Sequence, residues 1–491
     1  MTRLAFILLS LAPTFATASA DPVVASSSTP SVRPPDSPDA LAAQPRPRPK
    51  EVTAADVQDA PVPGTESGQS TALDPGDSAF RVAARGLLFV PKLAVAAVLS
   101  PVRGAFWAND RYGLEDLYYR VFYNDDRTIG LFPTATYTSG FGAAAGAGFV
   151  DLQLFGERES LAMLATTGAV TGDTYRASLA GSFRTGRRIS PWLELGLDAN
   201  FDRHPADPFY GIGNGDLVQP AGSPVNPQTD ATAVATYHRY QEARAAVIGD
   251  VRLIDGLHVL GTGSLTDLKF GPSTTNMSID TVYATPDLVG FDTGVRHAYG
   301  ELELRWDTRR RTSPWEPRDV HATGSLASML AGRVHRLDDG ADFWRYRVEL
   351  QHYWKIASGP RLVAVRFHGA GVTGERSEVP FTELPMLGGS SFLRGYSFER
   401  FRDRVAAFGS VQYQWDLSHL IDAYLFTDVG RVFPGLDQLT ARGMRVGYGV
   451  GLELHGNRGF LVESSLASSL DGGVVFSVSF NPVLDTKERW R

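Results

Sequence analysis

After Arg127 the chain alternates apolar and polar residues with a period of two almost to its end. Leu302, Leu304 and Trp306 alternate with Glu301, Glu303, Arg305 and Asp307. Trp344, Tyr346, Val348, Leu350, Trp354 and Ile356 alternate with Arg345, Arg347, Glu349, Gln351 and Lys355. Val446, Tyr448, Val450, Leu452 and Leu454 do the same against Arg445, glycines and Glu453. Successive side chains of a strand point to opposite faces, so each segment reads as a strand with one apolar and one charged face. The segments often reach ten residues or more, whereas strands of soluble sheets centre on five or six. Tryptophans and tyrosines gather near the ends of the apolar faces. Length and aromatic girdle together predict strands that cross a bilayer at a tilt.

Sixteen strands are predicted, at 129–139, 141–155, 157–170, 172–185, 190–203, 235–252, 256–270, 294–308, 319–333, 342–357, 359–371, 404–417, 419–430, 441–453, 458–468 and 472–482. An even count suits a single-chain antiparallel barrel. The longest gaps, 204–234, 271–293 and 372–403, all fall on odd-numbered connections, and most even-numbered ones are tight. Short inner turns and long outer loops are the asymmetry of an outer-membrane barrel whose first strand starts in the periplasm. The expected fold is all-β: a 16-stranded antiparallel transmembrane β-barrel over 129–482, with a tail at 483–491.

The chain before the barrel reads differently. Met1-Thr2-Arg3, the apolar run Leu4 to Leu11 and Ala18-Ser19-Ala20 make the three parts of a secretory signal peptide over 1–20. Residues 21–79 hold eleven prolines among Ser, Ala, Thr and Asp, a composition that reads as a disordered linker, placed in the periplasm. Its basic cluster, Arg46 to Lys50, reads as solvated, with contact to anionic lipid or cell wall as the alternative. Residues 80–128 form a helical periplasmic or interfacial segment. In it Leu87 to Ser100 is apolar and alanine-rich, Pro91 sits where a helix starts, and the run is too short to span a bilayer. It either lies at the membrane interface or packs against the barrel mouth.

Charge and composition narrow the function. A formal net charge of −7 argues against nucleic acid as a partner. The chain has no cysteine, which removes disulfides, thiolate metal sites and Cys nucleophiles. No Gly-x-Ser-x-Gly elbow, phosphate loop or metal-spaced pair of histidines is present. No enzyme, cofactor or metal is expected. Glu301, Glu303, Asp307 and Arg305 read as the mixed-charge filling of a wet lumen.

The chemistry concentrates in the loop at 372–403. There Leu387-Gly388-Gly389 is followed by Phe392-Leu393-Arg394-Gly395-Tyr396, and the next strand but one carries Phe426-Thr427-Asp428-Val429-Gly430. Gly388, Gly389 and Gly395 let the backbone turn sharply and approach the wall. Arg394 offers a planar fork of donors and, away from water, needs a carboxylate. Asp428 shares a face with Asp422, opposite Leu425 and Val429, which points it into the lumen. The expectation is a luminal loop lock of Arg394, Gly395, Tyr396 and Asp428, with Gly388 and Gly389 as hinge.

These motifs resemble the BamA/TamA superfamily of outer-membrane proteins, also called bacterial surface antigen barrels. The likeness covers 290–482 well and 129–290 by architecture. Trp306-Asp307-Thr308-Arg309, with Pro317-Arg318, resembles the family's periplasmic turn. The Arg394-Gly395-Tyr396 stretch resembles its sixth outer loop, and Phe426 to Gly430 its thirteenth strand; the strand count places them there independently. Gly473-Val474-Val475-Phe476-Ser477-Val478-Ser479-Phe480 resembles the signal by which such barrels are inserted, with Gly473, Phe476, Val478 and Phe480 as its markers. Two departures stand out. Gln412-Tyr413-Gln414-Trp415 replaces a Glu-Tyr-Arg-like strand, and no POTRA module of about 75 residues fits before the barrel.

The resemblance implies assembly or translocation of outer-membrane or secreted client proteins, or of lipid, in a barrel surrounded by outer-membrane lipid. A weakly paired seam between first and last strands would expose a template edge. The small-residue stretch Phe141 to Gly148 leaves that neighbourhood poor in contacts, or else bends the wall so that it closes. The alternative is a structural or partner-binding surface barrel with a loop-plugged pore. A simple pore is the third reading, and the plugging loop counts against it.

Overall fold

The computed structural model describes residues 111–138, 142–156, 159–168, 175–186, 190–219, 225–228, 233–273, 277–309, 323–356, 361–418, 421–456 and 459–479. The alternating segments form one 16-stranded antiparallel sheet in which neighbours in sequence are neighbours in space. Its first half comprises β1 (Ile129–Thr138), β2 (Gly142–Asp151), β3 (Ser160–Gly168), β4 (Arg176–Arg184), β5 (Leu193–Phe209), β6 (Thr236–Ile254), β7 (Leu257–Pro272) and β8 (Val295–Asp307). The second comprises β9 (Gly324–Arg336), β10 (Phe343–Lys355), β11 (Arg361–Val372), β14 (Val405–Ser418), β15 (Ile421–Phe433), β16 (Arg445–Gly456), β17 (Gly459–Ser469) and β18 (Val474–Ser479). A small hairpin, β12 (Met386–Leu387) with β13 (Phe401–Arg402), lies in the loop between β11 and β14. All sixteen expected strands are present.

The sheet curls into a barrel because its two faces face different media. On β8, Leu302 and Trp306 are 66% and 49% exposed while Glu303 is 1% exposed. The apolar residues therefore point outward, where lipid covers them, and the charged ones point into the lumen. Inside, Glu303 accepts from Arg305 Nε at 2.9 Å and from Ser328 at 2.7 Å. Glu349 accepts from Arg366 Nε at 2.6 Å and pairs with His368 Nδ1 at 2.8 Å. Both of these buried carboxylates have a counterion, which a low-dielectric interior favours.

The outer end is roofed. The three long loops, 210–235, 273–294 and 373–404, share a hydrophobic core with the strand tops, built from Phe209, Tyr283, Phe291, Phe381 and Leu384 among others. The Phe381 ring lies 5.1 Å from Phe270 and 5.4 Å from Phe209. Beneath this roof β5 runs to Phe209, six residues past its expected end, although Pro205 and Pro208 read as loop. The register shifts between His204 and Asp207, which absorbs Pro205. Pairing with β4 stops at Arg203, so Pro208 lies where the strand has a free side and its missing donor costs no ladder bond.

The inner end holds a helix, α1 (Leu114–Phe122), within the expected 80–128 segment. Tyr118 packs with Phe132 and Val150 on the inward face of β1 and β2. The Tyr123 ring stacks on Phe132 at 5.8 Å with an interplanar angle of 3°. Glycines make this possible: a Cβ on Gly130 would sit 2.5 Å from the Tyr123 ring, and one on Gly148 2.5 Å from the Phe132 ring. The apolar run Leu87 to Ser100, Phe480 and the tail lie outside the described residues.

The first and last strands come to lie side by side, with Cα atoms within 8 Å. Among the described residues no hydrogen-bonded ladder joins β1 to β18. The roof makes a quantitative prediction. Phe381→Ala removes a fully buried ring and should cost about 3–5 kcal/mol, seen as a lower urea midpoint for the barrel in detergent. A change below about 1 kcal/mol would mean that the roof is not a cooperative part of the fold.

Candidate functional site: a plug loop locked in the lumen

The loop between β11 and β14 dips into the barrel, and its path is set by glycines. Gly388, Gly389 and Gly395 have φ of 116°, 107° and 97°, values that side chains disfavour. A Cβ on Gly388 would lie 2.3 Å from the Ser397 carbonyl oxygen, and one on Gly395 2.4 Å from that of Ser468. The first glycine thus folds the loop on itself and the second lets it touch β17. From the other side Gly447 of β16 receives the carbonyl of Arg394, so closely that no side chain fits there.

This delivers Arg394 to the wall. Its Nε donates to Asp428 Oδ2 and its Nη2 to Asp428 Oδ1, both at 2.9 Å. The backbone N–H of Arg394 donates to the same Oδ2 at 2.9 Å. Nη1 reaches Gln412 Oε1 and Nη2 reaches Ser410 Oγ, both at 3.2 Å, while Ser410 donates to Asp428 at 2.6 Å. The guanidinium carbon lies 3.5 Å from the centre of the Phe426 ring. Burial works against the charged guanidinium, but the carboxylate and its hydrogen bonds more than offset this and hold the pKa above the ordinary arginine value.

Every defined position of Phe426-Thr427-Asp428-Val429-Gly430 has a task here. Phe426 supplies a π face, Asp428 the counterion, and Gly430 the space into which Leu387 and Leu393 pack. All three point inward because they are two residues apart on one strand. Leu387 and Leu393 continue into a small core with Phe401, Phe408 and Val432.

The next residue reaches further. Tyr396 Oη donates to Asp471 Oδ2 at 2.9 Å, in the turn between β17 and β18. Burial first, and then the Asp471 hydrogen bond, push the Tyr396 phenol up to about 12. Arg445 bridges Asp471 at 2.7 Å and Asp216 at 2.6 Å, and Asn214 donates to the Val432 carbonyl at 2.7 Å. The plug loop, the 210–235 loop and the last hairpin are therefore one bonded assembly beside the seam. Asp471, Asp216 and Asn214 were missed from sequence, since loop residues carry no period that reveals which distant turn they meet.

The other motif residues lie elsewhere. Arg309 donates to Asp307 at 2.9 and 2.7 Å and to Gln351 at 3.1 Å, while Thr308 Oγ1 bonds the Ser325 backbone. This clip ties the inner end of β8 to β9 and β10, away from the plug; Pro317-Arg318 lies outside the described residues. Gly473 closes the last turn with φ of 87°. Phe476 faces outward, exposed, with Val474, and Val478 shares their face. Among the described residues no cluster of three or more His, Asp or Glu has metal-binding geometry.

Sixteen antiparallel strands with lipid-facing apolar residues, and a glycine-hinged loop locked to the thirteenth, form the architecture of an outer-membrane barrel. A family model described as the Omp85 superfamily domain matches residues 300–464, which contain both halves of the lock. Residues 300–464 of this barrel are thus similar to that superfamily domain. Among solved structures, similarity is found to BamA from Haemophilus ducreyi lacking POTRA domains 1–3, with 14% identity, TM-score 0.48, and coverage of 72% of this chain and 70% of that one. CdiB from Acinetobacter baumannii gives 11%, 0.44, 72% and 59%, and CdiB from Escherichia coli 10%, 0.45, 71% and 61%. No curated protein sequence matches the chain.

Two predictions follow from the lock geometry. Asp428→Ala leaves a buried guanidinium without its counterion and should cost about 3–5 kcal/mol in urea unfolding; adding Arg394→Ala should restore part of that loss, and strict additivity would contradict the pairing. Tyr396→Phe removes a hydrogen bond to a charged group, about 1.5 kcal/mol. It should raise amide exchange in Val474–Ser479 roughly tenfold while exchange in β8 and β9 stays unchanged.

Proposed function

We propose that the protein assembles or moves client proteins, outer-membrane or secreted, with the seam between β1 and β18 as working edge and the locked loop as its restraint. One observation carries this reading: the two end strands lie side by side without a ladder among the described residues. Such an edge is a template for an extended client segment, with main-chain hydrogen bonds giving affinity and alternate side chains giving choice. The lock supports it, because Tyr396 and Arg445 hold the last hairpin from inside. Withdrawing the loop would free β18 to move.

Under the same reading residues 1–20 direct export, 21–79 form a periplasmic linker, and Gly473, Phe476, Val478 and Phe480 mark the barrel for insertion. The packed roof favours a second reading, a partner-binding surface barrel whose pore stays plugged. Deleting the gene separates the two. Loss of particular barrel proteins from the outer membrane supports the first; an unchanged envelope proteome with altered permeability supports the second.

The absence of cysteine permits a direct test of the seam. Single cysteines scanned along the inward positions of β1 and β18, such as Thr134 and Ser477, should yield one pair that crosslinks on oxidation. Crosslinking should abolish client assembly and reductant should restore it. Full assembly with the seam covalently closed would refute the proposal.

A further inference from the structure

At its inner end β1 meets α1 in an apolar groove of about 720 Å3. Val121 and Phe122 of the helix form one wall, Ile129 and Leu131 of β1 the other, and Ala147 and Phe149 of β2 extend it outward. Val121 and Leu131 are 61% and 64% exposed. Tyr118, Phe122 and Tyr123 already attach the helix to the barrel. Leu117 and Val121, one turn apart on another face, are not needed for that attachment and are exposed.

Two observations say what covers this surface. First, it is continuous with the lipid-facing wall: Leu131 pairs with Phe149, Phe149 with Met163, and Leu179 follows on β4, with Met163 and Leu179 exposed on the same outward face. A groove that opens onto the bilayer side is filled by acyl chains, which lose nothing by leaving one apolar surface for another. Second, charged residues flank in sequence the lining residues Val121 to Asn124. Arg120 is exposed in the last turn of α1, and Asp125 and Asp126 are exposed just after it. An exposed cation and two exposed carboxylates on this one short stretch at the inner end suit a zwitterionic headgroup, phosphate to Arg120 and ammonium to the aspartates.

We propose that this groove is a phospholipid site, taking one acyl chain of an inner-leaflet phosphatidylethanolamine at the base of the seam. The site adds a lipid partner to the strand edge and does not depend on the client reading.

The test uses the purified full-length protein in nanodiscs of phosphatidylethanolamine and phosphatidylglycerol, with a trace of phosphatidylethanolamine carrying a diazirine in one acyl chain. Ultraviolet labelling mapped by mass spectrometry should concentrate on Val121, Leu131 and Phe149, at least tenfold above Ala331 on the lipid face of β9. Ala147→Trp fills the groove and should lower that labelling at least tenfold with heat-modifiable mobility retained; Ala331→Trp should not. Val121→Asp, at an exposed position of the helix, should give the same loss. Uniform labelling around the barrel would reduce the site to ordinary surrounding lipid. Labelling insensitive to both groove variants would overturn the proposal. Capture of a client protein in place of lipid, with diazirine at Val121 in cells, would also overturn it.

Discussion

A guanidinium that is 1% exposed has no favourable place inside a barrel except against its carboxylate, and the Arg394–Asp428 pair imposes that constraint on everything near it. The pair requires β15 in one register, because a slip of one residue would turn Asp428 to the lipid. It requires small residues at 395, 430 and 447, since the loop backbone touches β16 and β17 and its leucine side chains pack on β15. Through Tyr396 and Asp471 it also fixes the last hairpin. A single ion pair thus couples the loop, the wall and the neighbourhood of the seam.

Much of this was legible in the sequence, and for a definite reason. A strand with lipid on one side and charge on the other must alternate strictly, so strand positions and the inward parity of Asp428 could be read residue by residue. Prolines hid the end of β5, because the register shift that absorbs Pro205 is a tertiary event. Gln412 stands out as a departure from the family pattern, and its contacts give the physical sense. Arg394 already has one full counterion, so a neutral amide accepts its remaining donor without adding a second buried negative charge. Asp216, Asn214 and Asp471 stayed invisible because their partners are set by the paths of three loops.

The two ends of the barrel are finished by different physics. At the outer end hydrophobic burial among three loops makes a roof. At the inner end a short helix is seated by aromatic stacking on glycine-cleared strand positions. The seam runs between these finished ends and is restrained from inside by hydrogen bonds and ion pairs rather than by a continuous ladder. Polar restraints of that kind are directional and can be exchanged one at a time, whereas the roof is one packed core shared by three loops.

The roof also has a kinetic meaning. Its core joins loops that are separated in sequence by whole pairs of strands, so it cannot form until those strands are paired. The core therefore stabilises a sheet that is already assembled rather than the steps that assemble it.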